Sequence, residues 1–287
     1  MRVILPGRFS CSLAGCEQQF RRTIVRATSI ARALRVCAFV LLGASVASTA
    51  SAQIANCGTT GITHAQFQAA LSQAVAAESS GLDLQMWATM VDRDGIVCFV
   101  AFSGSDRGAQ WPGSRVISAQ KANTANAFSL RGLALSTANL YSAVQPGGSL
   151  FGLQESNPVS TSVAYAGPST NYGQSNDPMV NQKIGGINVF GGGLALYAAG
   201  TNLVGGLGVS GDTSCADHHI AWRMRNNLGL DHLLGVGGVS GDDSRPDNII
   251  YDLKASGGAG GSFSKGGFGH PECLNTGNPS SLPAVRP

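Results

Sequence analysis

The segment QWPGSRVISAQKANTANAF, residues 110–128, is predicted to form a helix that has no charged outer face. Apart from Arg115 and Lys121, its side chains are uncharged, and most of them are small. A helix that borders solvent normally carries charged residues on its outer side, so we expect this one to line a pocket or an interface. Three alanines would let a sheet approach its backbone closely: Ala119, Ala122 and Ala125.

Patterns on both sides of this helix predict an α+β fold. Thr63 and Gln66 form a capping box that starts an amphipathic helix, and Gly81 is expected to end it. The segments LQMWATMV and IVCFVAF flank the turn DRDG, which predicts a β-hairpin. Residues 133–144 indicate a shorter helix, and GGINVFGGGLALYA and NLVGGLGVSG indicate two or three strands. This order predicts an antiparallel sheet with helices packed on its faces.

A closing helix is predicted over residues 213–231, beginning with a capping box from Ser214 to Asp217. His218 and His219 are neighbours on this helix and point about 100 degrees apart. They are therefore poorly placed to bind one metal ion together. We expect one of the two rings to be packed in the core and the other to face solvent.

The first 52 residues have the features of a secretory signal peptide. They contain seven arginines and one acidic residue, then the apolar run VCAFVLLGASVA, and they end in Ala50-Ser51-Ala52, where cleavage is expected. The apolar run is too short to cross a bilayer. We therefore expect an exported chain, periplasmic or extracellular, with no membrane span after cleavage.

Removal of residues 1–52 changes the charge of the chain. The whole sequence has 19 basic and 16 acidic residues, and without the seven arginines and one acid it has 12 and 15, a net charge of −3. No polybasic stripe remains, which argues against nucleic acid as a partner. We divide the rest into a domain at 53–231, with a long Gly/Pro/Ser/Asn-rich loop at 144–185, and an irregular tail at 232–287 pinned by Cys273.

The predicted exported chain keeps four cysteines, an even number that indicates two disulfides. Three pairings are possible, and the sequence alone does not choose among them. We favour Cys57–Cys98 and Cys215–Cys273, because this pairing ties each end of the chain to a regular element. A metal or redox thiol site is the alternative, although the chain has no CxxC spacing.

Several segments resemble, in order, the GlcG/HbpS-like haem-binding proteins, relatives of the PduO C-terminal domain. They are WATMVDRDGIVCFVAFSG, QKANTANAFS and GGINVFGGGLALYAAGTNLVGGLGVSGDTSCAD, within residues 62–230. The resemblance implies a profilin-like fold, homo-oligomers built from dimers, and binding of haem or, in some relatives, a corrinoid. The loop at 144–185 and the tail after residue 231 depart from the family pattern.

Five residues are candidates for a ligand site. His64 lies in the first turn of its helix, where the helix dipole favours the neutral imidazole that haem iron binds. Lys121 matches a lysine of the family and is expected either to pair with a haem propionate or another carboxylate ligand, or else to reach solvent or a subunit interface. Three glycines would let backbone amides approach a flat ring or an anion, or else form a bend in the sheet: Gly191, Gly192 and Gly193.

The function predicted from these observations is exported haem or tetrapyrrole binding, for sensing or storage. An enzyme acting on a small carboxylate or a tetrapyrrole is one alternative, and a non-catalytic oligomeric interaction protein is another. The segment GVSGD lacks the G-x-S-x-G spacing of a nucleophile elbow, and no HExxH zinc motif occurs. The sequence therefore assigns no catalytic residue.

Overall fold

The structure is a computed structural model that describes residues 56–255 and 262–287. The predicted signal peptide lies outside the described residues. The helices are α1 (His64–Ala76), α2 (Ser114–Phe128), α3 (Leu153–Ser156), α4 (Thr161–Ala164) and α5 (Ser214–Asn227). The strands are β1 (Trp87–Asp92), β2 (Val97–Phe102), β3 (Gly193–Ala198), β4 (Asn202–Ser210), β5 (Leu253–Ala255) and β6 (Ser262–Ser264). Within these two ranges, no helix has the length and apolar character needed to span a bilayer.

A four-stranded antiparallel sheet forms the centre of the fold, in the order β2-β1-β4-β3. The predicted hairpin is present as β1 and β2. Asp92 stabilises its turn, because its Oδ1 atom accepts hydrogen bonds from the backbone N–H groups of Asp94 and Ile96 at 2.9 and 3.0 Å. The strands β5 and β6 form a separate two-stranded sheet.

Helices cover both faces of the four-stranded sheet. Along β1, Ala88 and Met90 point toward α1 and α5, whereas Trp87 and Val91 belong to the cluster on the α2 side. This alternation follows from the period of two in a strand. The predicted α+β class, an antiparallel sheet with helices packed on its faces, is confirmed.

The helix α2 is buried on nearly every side, as its lack of charge predicted. Gly206 and Gly208 of β4 allow the close approach: a Cβ atom at Gly208 would lie 1.9 Å from the carbonyl oxygen of Ser118, and one at Gly206 would lie 2.2 Å from that of Ala122. Any larger residue at these two positions would push the helix off the sheet. Ala119, Ala122 and Ala125 of α2 are fully or almost fully buried in this contact.

Several predicted boundaries differ from the structure. The capping box of Thr63 and Gln66 is present, but α1 ends at Ala76 rather than at Gly81. Residues 133–144 contain two 3₁₀ helices, Thr137–Leu140 and Ser142–Val144, in place of one α-helix. The cap of α5 is Thr213 rather than Ser214.

The prediction that one of His218 and His219 faces solvent was wrong, because both rings are buried. The tail after residue 231 covers the outer side of α5, which sequence patterns did not indicate. Nε2 of His218 lies 3.2 Å from Oδ1 of Asn248, and Nδ1 of His219 lies 3.6 Å from Oε1 of Glu78.

The C-terminal tail is joined to the helical core by packing and by a disulfide. Leu282 and Val285 belong to the main hydrophobic cluster, and Nε1 of Trp222 donates to the carbonyl oxygen of Pro283 at 2.9 Å. The two disulfides are Cys57–Cys98 and Cys215–Cys273, so the favoured pairing is the one present in the structure.

Glu78 follows α1 and links that segment to α5. Its Oε2 atom accepts from Nε of Arg223 at 3.0 Å, and its Oε1 atom accepts from the backbone of Ser80 at 3.2 Å. Burial alone would raise the pKa of Glu78. Hydrogen bonds from His219, Ser80 and Arg223 outweigh burial and lower that pKa to about 2.

We expect the stability that Glu78 provides to disappear in acid. Its folded-state pKa lies below the ordinary value of 4.5, so the stabilisation is complete above about pH 4.5 and is lost as the pH falls toward 2. The loss is on the order of 2 kcal/mol. Denaturant unfolding of the wild-type protein and of Glu78→Gln measures this loss. The difference between their free energies of unfolding should become smaller as the pH falls from about 6 to about 3. A gap of constant size would contradict this assignment.

Candidate functional site

Lys121 is held in a buried ion pair with Asp217 of α5. Its Nζ atom lies 2.6 Å from Oδ2 of Asp217 and also donates to the carbonyl oxygen of Val209 at 3.1 Å. The other carboxylate oxygen accepts from the backbone N–H groups of Gly211 and Asp212 at 3.0 and 2.9 Å. The lysine is 1% exposed. The ammonium group is therefore directed toward a partner within the chain.

Burial acts on both members of this pair. It lowers the pKa of Lys121 and raises the pKa of Asp217 to about 6, while the attraction between the two charges opposes both changes. At neutral pH the short contact and the two backbone donors keep the carboxylate ionised beside the ammonium.

The triple-glycine segment lies against Lys121, with no space between them. A Cβ atom at Gly192 would lie 3.2 Å from Nζ of Lys121, and one at Gly193 would lie 2.7 Å from the carbonyl oxygen of the same lysine. Gly191 is close to α5: its N–H donates to Oγ of Ser214 at 2.6 Å. The described part of the chain therefore has no hollow between α2 and the glycines that could hold a ligand. Ligand contacts of Lys121 and the glycines stay a prediction that requires this packing to open.

Two asparagines of α2 also have partners within the chain. Nδ2 of Asn123 donates to the carbonyl oxygen of Gly186 at 2.8 Å, and Nδ2 of Asn126 lies 3.4 Å from the carbonyl oxygen of Arg93. These amides therefore attach α2 to neighbouring loops.

His64 lies at the start of α1 and is partly exposed. Its Nε2 atom is 2.9 Å from the carbonyl oxygen of Val100 and 3.2 Å from that of Gly173. Because a carbonyl oxygen only accepts hydrogen bonds, Nε2 carries the proton and Nδ1 keeps its lone pair. An axial-ligand role for His64 stays a prediction, and it would use Nδ1.

A cavity of about 360 Å³ opens at the start of α2, away from the Lys121 pair. This volume lies within the range of small-molecule sites. Its walls are almost entirely apolar, with aromatic and aliphatic side chains and two arginines among them. The lining residues are Trp87, Arg107, Gly108, Pro112, Gly113, Arg115, Val116, Tyr165, Ser169 and Tyr172.

Arg115 and Asp177 attach the long loop to α2 and so build one wall of this cavity. Nε of Arg115 donates to Oδ2 of Asp177 at 2.9 Å, and its guanidinium carbon lies 3.6 Å from the centre of the Tyr172 ring. Asp177 also accepts from the backbone N–H groups of Gly173 and Met179 at 2.7 and 2.9 Å. These contacts hold the Tyr172 ring against Arg115.

Some polar groups around the cavity are already paired within the chain, whereas others could contact a ligand. The charge of Arg115 is neutralised by Asp177, whereas Arg107 is exposed and, within the described residues, has no carboxylate in salt-bridge range. Nε1 of Trp87 is buried and has no hydrogen-bond partner in the described part of the chain. Tyr165 is 67% exposed at the cavity. The cavity thus combines an apolar interior with an available cation.

Most of the cavity residues carry no recognisable signal in the sequence. The loop at 144–185 is unusually long, and this loop supplies Tyr165, Ser169 and Tyr172. Loops of that length inside a compact domain are usually functional or interfacial. The sequence signal that could have indicated the cavity is the presence of tyrosines within a polar, glycine-rich loop. His64 is outside the lining, although it contacts Gly173, the neighbour of Tyr172.

One protein-family model matches the chain. A family model described as "Haem degrading protein HbpS-like" matches residues 62–225. No curated protein matches the chain.

Solved structures also resemble parts of the chain. Klebsiella pneumoniae protein ORFY is 25% identical, with 58% of this chain and 90% of that chain covered and a TM-score of 0.39. A PduOC:haem complex is 24% identical, with coverages of 57% and 89% and a TM-score of 0.39. A double mutant of Streptomyces reticuli HbpS is 18% identical, with coverages of 58% and 87% and a TM-score of 0.36.

Proposed function

The chain belongs to the HbpS-like family, and on that premise we propose that it binds haem or a related tetrapyrrole in the cavity at the start of α2. One observation carries the proposal: a largely apolar cavity, walled by Trp87, Val116 and Tyr172, has an exposed arginine on it. A tetrapyrrole needs apolar walls for its ring and cations for its propionates, and this cavity offers both.

The side chains at the cavity fit such a guest in three respects. Trp87 and Tyr172 offer aromatic rings for contact with a flat macrocycle. Within the described residues, Arg107 has no carboxylate in salt-bridge range, so it can pair with a propionate, whereas the second arginine, Arg115, is already paired with Asp177. Oxygen and nitrogen donors suitable for iron are present in Tyr165 and Tyr172, and nearby in His64. Bound haem would supply an iron centre capable of ligand binding and electron transfer.

The proposal treats the protein as a binding protein used for haem storage or sensing. The cavity residues include no carboxylate, histidine or cysteine, so the cavity offers no obvious general base. The description of the family mentions haem degradation. The experiment must therefore distinguish haem binding from haem degradation.

Titration of the full-length protein with haemin tests the proposal. We expect a Soret band that saturates at one haem per chain, together with quenching of tryptophan fluorescence, since Trp87 lines the cavity. A band that forms and then bleaches only after a reductant is added would indicate degradation. A spectrum identical to that of free haemin at every ratio would contradict the proposal.

Reversing the charge of Arg107 is expected to weaken haem binding by about 10-fold, which corresponds to about 1.4 kcal/mol. The reason is the loss of an ion pair with a propionate and its replacement by repulsion. The variant Arg107→Glu should bind haem dimethyl ester, which lacks the carboxylates, as well as the wild type does. Arg131→Glu, at an exposed arginine outside the cavity, is the matched control. An equal loss for haem and its ester would exclude the ion pair.

We also propose that the protein is exported and that it forms homo-oligomers. Two disulfides support export, since such bonds persist in oxidising compartments. Trp111 is 51% exposed next to the cavity residue Pro112, and it offers an apolar side chain that a second copy could cover. N-terminal sequencing of the exported protein, with the first residue expected at Gln53, and light scattering test these two statements.

A further inference from the structure

The disulfide Cys215–Cys273 lies beside a buried histidine. Sγ of Cys215, Sγ of Cys273 and a ring nitrogen of His270 all lie within 4.8 Å of one another. Cys215 belongs to α5, whereas His270 and Cys273 belong to the C-terminal tail. Two thiolates and one imidazole are a ligand set that zinc binds in proteins. We propose that reduction of this disulfide creates a zinc site that keeps the tail attached to α5.

The hydrogen bonds of His270 prepare one ring nitrogen for a metal. Nδ1 lies 2.7 Å from the carbonyl oxygen of Pro271, so Nδ1 carries the proton. Nε2 therefore keeps its lone pair, and it accepts from the hydroxyl of Ser214 at 2.7 Å. Metal-binding histidines commonly donate their second N–H to a backbone carbonyl in this way. A metal at Nε2 would replace the hydroxyl as its partner.

The surroundings of the two sulfur atoms also favour thiolates. Cys215 is the second residue of α5, a helix of 14 residues, and thiolates are stabilised at helix N-termini. The backbone N–H of Cys215 already donates to Sγ of Cys273 at 3.2 Å. Cys273 is partly exposed, which gives a reductant access, whereas Cys215 and His270 are buried.

The redox step is balanced by an external thiol reductant. A dithiol passes two electrons and two protons to the Cys215–Cys273 bond and is itself oxidised to a disulfide. Zn²⁺ then displaces the two thiol protons and binds both sulfurs and the imidazole, which leaves one position for water. The covalent link between α5 and the tail is thereby replaced by a metal link.

The second disulfide offers a weaker set. Asp92 lies near Cys57 and Cys98, but its Oδ1 atom is already used by two backbone N–H groups of the hairpin turn. The experiment therefore uses the variant Cys57→Ser/Cys98→Ser as its parent, so that Cys215–Cys273 is the remaining disulfide of the described residues.

Cobalt binding to this full-length parent, in which Cys11, Cys16 and Cys37 are also replaced by serine, tests the proposal with no haem added. A phosphine reductant, which takes its oxygen from water, replaces the dithiol because it competes weakly for metal. We expect no cobalt binding in the oxidised protein and, after reduction, one Co²⁺ per chain with thiolate-to-cobalt charge-transfer absorption. Zn²⁺ should displace the cobalt and should protect both thiols from alkylation.

Variants locate the site. Adding His270→Ala to the parent should weaken cobalt binding by at least about 10-fold, whereas His232→Ala, at a tail histidine without a cysteine partner, should leave it unchanged. Adding Cys215→Ser/Cys273→Ser to the parent should abolish the charge-transfer band after reduction. Circular dichroism of the oxidised variants checks their folding. If His270→Ala does not fold, the alkylation of the parent decides the question.

Three results would overturn the proposal: no cobalt bound by the reduced parent, equal binding by the parent and a folded His270→Ala variant, or unchanged alkylation of both thiols when Zn²⁺ is present.

Discussion

Replacing Lys121 with methionine is expected to destabilise the protein by about 3–5 kcal/mol. The substitution leaves the carboxylate of Asp217 buried without the ammonium that lies 2.6 Å away. The free-energy cost of burying an unpaired charge is much larger than the net stability that the intact pair provides, because the attraction no longer offsets the desolvation of the carboxylate. Denaturant unfolding at neutral pH measures the change, with Lys183→Met, at an exposed lysine, as the control.

The double variant Lys121→Met/Asp217→Leu sharpens this test. With both charges removed, most of the lost stability should return, because the desolvation cost of the carboxylate is removed too. The same variants report on the ligand hypothesis for this residue. If Lys121→Met retains wild-type stability and loses haem binding, the lysine faces a ligand rather than Asp217, and the ion pair described above is wrong.

Replacing Gly113 with phenylalanine is expected to weaken haem binding by at least about 100-fold, equivalent to about 2.7 kcal/mol. Gly113 lines the cavity, and a Cβ atom there would meet no atom within 4 Å. Its backbone angles, φ −63° and ψ −27°, suit any L-residue. A large side chain can therefore grow from the cavity wall without strain, at the expense of the space that a tetrapyrrole needs.

The control for this variant is Gly132→Phe, since Gly132 is also exposed, has open space around its Cβ position and does not line the cavity. Haemin titration compares the two, and thermal unfolding should show that both remain folded. Intermediate substitutions, Gly113→Ala and Gly113→Leu, should reduce affinity in order of size. Wild-type affinity in a folded Gly113→Phe variant would place the haem site elsewhere on the protein.

The haem site and the zinc site can be tested independently of each other. The variant Gly113→Phe tests only the cavity at the start of α2, whereas the zinc site is formed by residues of α5 and the C-terminal tail. If the reduced protein binds cobalt but not haemin, the zinc proposal stands and the haem proposal is rejected.

Features that depend on neighbouring residues could be predicted from the sequence. The capping box of Thr63 and Gln66 and the turn at Asp92 are formed by hydrogen bonds that span four residues or fewer. The burial of α2 also followed from its composition, because a helix with only two charged residues, Arg115 and Lys121, has no charged face suited to water. The favoured disulfide pairing was one of three possibilities, and the structure selected it.

The partner of each buried charge was decided by the tertiary structure. Lys121 was recognised as exceptional, but its partner Asp217 lies 96 positions further along the chain. Arg115 and Asp177 are 62 positions apart. A sequence pattern shows that a charge is out of place in a helix, but it does not show which carboxylate the packing brings to it.

The sequence by itself therefore determined the helices α1, α2 and α5, the hairpin of β1 and β2, the order of these main elements, the low charge of α2 and the family. The tertiary structure alone decided that the lysine and the glycines close on each other, and that Trp87, Val116 and Tyr172 from three separate segments enclose a cavity. The physical reason is the range of the interactions. Caps and turns are formed by atoms a few bonds apart, whereas cavities and ion pairs arise from groups that meet only when the layers pack.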